Sequence, residues 1–218
     1  ARARVDGDGE SVERLPCGAD GPFTLAEDSE GRLFEIRYSE EAGPGGMIWE
    51  RDRTTGERNR EVVSLQTGDA WPRLREHVLA RRAPVGAAAT DDHIVVWDRG
   101  ELRQRWALSG DGSVHALALS EPGDTLYILR RHDDKCRLEA WKTKSCERLW
   151  SAPLPFERSS GEGLVTLPGG RHLAVSCGGR VGLFDLTLRS LVWVQPASPD
   201  RPRGFLHALG VSAEGDAL

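Results

Sequence analysis

Apolar residues along this chain fall into short runs of four to seven, rich in Leu, β-branched and aromatic side chains, and each run ends at a cluster of turn formers. The clearest stretch reads VHALAL, then the turn Glu121-Pro122-Gly123-Asp124, then TLYILR. A polar His-Asp-Asp-Lys turn follows, then RLEAW, a short turn at Ser145 and Cys146, and ERLWSA. Downstream come GLVTL, RHLAV, RVGLFDL and LVWVQ; upstream come VGAAA, HIVVWD and LRQRWAL, and before them PFTLAE, RLFEIRY, MIWERD and REVVSL. Runs of this length and composition predict strands. Helical periodicity is absent over most of the chain. WPRLREHVLARR (Trp71 to Arg82) is the exception, with Leu74, Val78 and Leu79 at helical spacing. A strand over HVLA is nevertheless favoured there, because a four-stranded unit needs an innermost strand. Glu40 to Gly46 reads as a long surface loop.

The strands repeat. HALALSEPGDTL from His115 and HALGVSAEGDAL from His207 agree at seven of twelve positions and lie 92 residues apart, twice a 46-residue unit. An aromatic is followed nine residues later by Trp in three places: Trp97 to Trp106, Trp141 to Trp150, and Phe184 to Trp193. A fainter copy places Asp52 46 residues before Asp98, with Arg60 where the Trp should stand. A repeat of ~40–50 residues made of strands predicts an all-β fold, a β-propeller of four-stranded blades. The expectation is four blades and the start of a fifth, part of a larger seven- or eight-bladed ring. Residues 23–218 would form this partial propeller, and residues 1–22 an N-terminal segment in which Ser11 to Leu15 is a candidate outer closing strand. The natural protein is expected to continue past Leu218, or a partner to cover the open edge.

The aromatic spacing has a physical use. A lone blade exposes apolar surface on both faces, so bulky residues repeated at one place would fill the wedge between neighbours. A tight turn midway between Trp141 and Trp150 predicts that they stand opposite each other across a hairpin, a pairing that contributes roughly 0.2–1 kcal/mol. The Trp positions are read as structural rather than ligand-stacking.

Two families share these features. AWKTKSCERLWSAPLP (Ala140 to Pro155) and GLFDLTLRSLVW (Gly182 to Trp193) resemble the repeat of pyrroloquinoline-quinone-type propellers, and Thr54-Thr55-Gly56 after Asp52 fits its turn. HIVVWD, with Asp91 ahead of Trp97-Asp98, is similar to the Trp-Asp repeat family, as is VHALALSEPGDTL. Either resemblance implies a propeller. The Trp-Asp resemblance further implies a buried His–Asp–Trp network, with Asp91, Trp97 and His77 as candidate members. The quinone type implies a full ring with a cofactor and a cation, for which no residue cluster is found, and the adjacent cysteines common in those enzymes are missing. Fold alone does not set function.

The chemistry is sparse. With 29 Lys and Arg against 34 Asp and Glu, the net charge is −5 and there is no basic footprint for nucleic acid. The run Arg73, Arg75, Arg81, Arg82 reads as a solvated face. No apolar stretch approaches the ~20 residues of a membrane-spanning helix. The chain opens Ala-Arg-Ala-Arg, which fits a mature product or a fragment. Cys17, Cys136, Cys146 and Cys177 lack zinc-ligand spacing. A Cys136–Cys146 bridge fits a secreted protein, and free thiols, the preferred reading, fit an intracellular one.

Of the histidines, His115 and His207 occupy equivalent repeat positions and read as structural. His132 with Asp133 and Asp134 reads as a polar turn rather than a metal site. No catalytic, cofactor-binding or metal residue is assigned, and no cofactor. The expected function is a non-catalytic scaffold that binds other protein subunits within a larger assembly, without nucleic acid or membrane insertion. A quinoprotein-like, cofactor- or ligand-binding oxidoreductase and an extracytoplasmic assembly scaffold are the alternatives.

Overall fold

The structure, a computed structural model, describes residues 23–37, 47–64, 76–90, 93–99, 101–108, 112–132, 135–156, 163–177 and 180–195. Its regular elements are all strands. The first sheet comprises β1 (Phe23–Glu27), β2 (Leu33–Arg37), β3 (Met47–Arg51) and β4 (Arg58–Ser64). The second comprises β5 (Glu76–Leu79), β6 (Val85–Ala89), β7 (His93–Asp98) and β8 (Glu101–Ala107). The third comprises β9 (Ser113–Leu119), β10 (Thr125–His132), β11 (Lys135–Lys142) and β12 (Arg148–Leu154). The fourth comprises β13 (Gly163–Thr166), β14 (His172–Cys177), β15 (Arg180–Asp185) and β16 (Ser190–Val194). Each sheet is an antiparallel meander in chain order. The segment with competing helical periodicity is strand at Glu76–Leu79, paired with β6; residues 71–75 lie outside the described residues, as does the candidate closing strand within 1–22.

Sheets stack face to face, and period-2 alternation divides each strand between two seams. Leu126 and Ile128 of β10 join Ile94, Val96 and Ala87 in the core between the second and third sheets. Their alternates Tyr127 and Leu129 join Leu173, Val175 and Phe184 between the third and fourth. Phe34, Ile36 and Ile48 meet Val95 and Trp97 between the first and second. Two buried faces explain why β10 and β14 read as nearly unbroken apolar runs rather than alternating ones.

The hairpin between third and fourth strands departs from the expected geometry. Trp141 and Trp150 do not stand opposite each other: Trp141 faces Arg148 and Trp150 faces Ala140, because Leu149 is an extra, unpaired residue in β12. The same bulge places Trp97 opposite Leu102 and Trp106 opposite Ile94, and Phe184 opposite Leu191 and Trp193 opposite Leu183. Adjacent strand residues point to opposite faces, so each unit's two aromatics serve different seams. Trp106 meets Trp141 of the next sheet at 6.4 Å between centroids, and Trp150 stacks on Phe184 of the next at 5.8 Å and 16°. Arg60 of β4 occupies the position of these fourth-strand Trp residues, and its guanidinium donates to Glu50 and to the Arg99 carbonyl of the second sheet. Trp97 packs instead on Phe34 at 6.3 Å.

Two local features hold this geometry. In the turn after β3 the Asp52 carboxylate accepts the backbone N–H groups of Thr54 and Thr55, and Asp185 accepts those of Thr187 and Leu188 after β15. Gly86 lies directly under the Trp97 indole: a β-carbon there would sit 2.2 Å from two ring carbons. Glycine is what lets that ring lie flat on β6.

Candidate functional site

Buried charge in this molecule is spent within the sheets. The Glu35 carboxylate, wholly enclosed, accepts from Arg51 Nε at 2.5 Å and Arg58 Nη2 at 2.8 Å, and the Arg58 guanidinium lies 4.4 Å over the Trp49 ring. Glu139 accepts from the Trp141 indole N–H at 3.0 Å and pairs with Arg130 and Arg148. Asp185 pairs with Arg171 at 3.1 Å and His172 at 3.4 Å. Such enclosed carboxylates need this many partners to remain charged. They fix strand against strand; the sequence reading named neither Glu35 nor Glu139, and Asp185 only as part of the repeat GLFDLTLRSLVW. The signal available for Glu139 was a carboxylate two residues before Trp141 on the same face of one strand, within reach of the indole.

The histidines are dispersed. His77 sits on β5, where burial depresses its pKa to about 4. The backbone N–H of His93 donates to Thr90 Oγ1, and the ring of His115 lies 2.5 Å from Ser113 Oγ. Trp97, offered as a partner of Asp91 and His77, has its ring against Phe34 and Gly86. Asp91, Asp133, Asp134, Cys17 and His207 lie outside the described residues. Among the described residues no group of three or more His, Cys, Asp or Glu is placed to hold a metal ion. Asp52 and Asp185 both titrate below the usual carboxylate range, held down chiefly by the backbone N–H groups of Thr55 and Leu188 respectively. Tyr127 is pushed up to about 12, first by burial and then by the Asp124 charge.

Two surfaces remain. Where β5, β9 and β13 run side by side, a cleft of about 70 Å³ is lined by Val78, Arg81, Leu119, Glu121, Leu164 and Thr166, among others. The turn carrying Glu121 closes one end: its backbone carbonyl accepts from Arg82 N–H at 3.2 Å, and its carboxylate accepts from Gly169 N–H at 3.2 Å. Thr166 Oγ1 donates to the Leu119 carbonyl at 2.7 Å. One turn thus touches the sheets before and after it.

The large exposed apolar side chains of the described residues lie on or beside the outermost strands of three blades. Leu102 lies on β8, Leu149 on β12, Leu188 in the turn before β16, and Val192 and Trp193 on β16. Trp193 is 52% exposed at the fourth-strand position that Trp106 and Trp150 fill against the following blade, and the described residues contain no blade after the fourth. Leu149 and Val192 are bulge residues, pushed out of the ladder.

Four antiparallel four-stranded sheets, stacked so that each covers the next and with first strands innermost, define a β-propeller. No protein-family model and no curated protein matches the chain in sequence. Solved structures match it in shape. The β-propeller domain of Cps50 (Swd1) from Myceliophteria thermophila superposes with a TM-score of 0.64 at 14% identity, over 88% of this chain and 58% of that one. Hydrazine synthase from Kuenenia stuttgartiensis superposes with a TM-score of 0.61 at 17% identity, over 81% and 49%. The chain thus spans roughly half the length of these relatives. At such identities the likeness is one of fold.

Proposed function

We propose that this propeller is a non-catalytic scaffold that binds other protein subunits, with the outer edges of its blades as the docking surface. The observation that carries the reading is the placement of Leu102, Leu149, Leu188 and Val192 on or beside fourth strands. Exposed apolar side chains on successive outer strands, with charged residues such as Arg103 and Arg148 beside them, suit a partner that spans several blade edges. The buried carboxylates support the same reading, since each is committed to holding strands. The Trp97-Asp98 strand ending and the Asp52 and Asp185 turns support descent of the blades from Trp-Asp or pyrroloquinoline-quinone-type repeats, respectively.

The test is native purification of the full protein beside a Leu102→Glu/Leu149→Glu variant. Both changes are at exposed positions and should leave the melting temperature nearly unchanged. The wild type is expected to emerge with companion subunits and the variant to lose them. A wild type that emerges alone, or one whose melting temperature rises on adding pyrroloquinoline quinone with calcium, would overturn the proposal in favour of no partner or of a cofactor-binding propeller.

A further inference from the structure

The seam between the third and fourth blades holds two cysteines whose sulfurs nearly touch. Cys136 is the second residue of β11 and Cys177 the last of β14, so each lies next to a hairpin tip at the same end of its blade. Their Sγ atoms are 2.8 Å apart, and the residues are 1% and 0% exposed, among Leu138, Leu154 and Val175. Carbon atoms rest at about 3.5–4.0 Å, and sulfur is larger, so only a sulfur–sulfur interaction accounts for this approach. Cys146 sits in the turn beyond the far end of β11 and cannot compete for Cys136.

We propose that Cys136 and Cys177 are an oxidation site, closing to a disulfide that staples blade three to blade four. No disulfide joins the two in this structure. With a low-molecular-weight disulfide as oxidant, the thiolate of one cysteine attacks a reagent sulfur, forming a mixed disulfide and releasing one reagent thiol. The second cysteine then attacks the protein-bound sulfur, the Cys136–Cys177 bond forms, and the other reagent thiol leaves. Two electrons pass to the reagent, and the two cysteine protons end on the released thiols. Burial requires the hairpin tips to open for the first attack.

The experiment uses the full chain and glutathione disulfide. The expected product has lost two hydrogens in intact mass, carries no glutathione, and gives a non-reduced peptide map joining the Cys136 and Cys177 peptides. Its melting temperature rises by several degrees and falls back with dithiothreitol. A Cys17→Ser/Cys146→Ser variant, which keeps only the seam pair, is expected to behave identically. A stable glutathione adduct, a bond to Cys17 or Cys146, or two seam thiols that stay reduced under an oxidant that fully oxidises the unfolded chain would each overturn the proposal.

Discussion

The seam between blades three and four makes a quantitative claim: Trp150 and Phe184, from different blades, stack at 5.8 Å and 16°. Replacing each with Leu keeps an apolar side chain in place while removing the ring. Phe184 is fully enclosed; Phe184→Leu is expected to cost about 1–1.5 kcal/mol as a near volume-conserving swap. Trp150→Leu removes more surface and also the contact to Tyr127 at 6.2 Å, so it should cost about 2–3 kcal/mol. An aromatic pair contributes about 0.5–1.5 kcal/mol beyond burial, and that term is lost once, not twice, in the double variant. The double variant should therefore be more stable than the sum of the singles implies by about that amount. Urea denaturation of the four proteins, with m unchanged, measures it. Additivity within about 0.3 kcal/mol would mean that the rings do not meet, and the stacking order of the blades would fall with them.

Two further outcomes follow from single residues. Gly86→Ala drives a methyl into the Trp97 indole and should lower stability by about 1–3 kcal/mol, read as a reduced urea midpoint; a neutral result would show that the ring does not lie on β6. His77 is neutral in the folded chain to about pH 4 but protonates near 6.5 when unfolded, so the unfolded state binds more protons between those values. Stability should fall as pH drops from about 6.5 towards 4. His77→Gln should flatten that part of a pH-resolved melting profile, and an unchanged slope would refute the burial of the ring.

Strand positions and the repeat were readable because two-sided burial and Gly-Pro-Asp turns leave local traces. VHALAL, TLYILR and RLEAW each became a strand at the expected place. The ambiguity at Trp71 to Arg82 arose because Val78 and Leu79 satisfy either periodicity, and pairing with β6 decides it. What the sequence concealed was register. The bulge at Leu149 is invisible in composition, and without it Trp141 and Trp150 would share a face. The Cys136–Cys177 contact spans two blades, so no spacing rule between neighbouring cysteines points to it. The exposure of Leu149 and Val192 was equally hidden, since it follows from the same bulges.

Those bulges impose a parity rule on the hairpins. The turn of the second blade, between Trp97 and its partner Leu102, is two residues shorter than the turn between Trp141 and Arg148 or between Phe184 and Leu191. All three nonetheless deliver their fourth-strand Trp to the same side. Residues can enter or leave these hairpins in pairs without inverting a ring, whereas a single insertion or deletion would send one tryptophan to the wrong neighbour. Length is free to drift across the blades, and oddness or evenness is not.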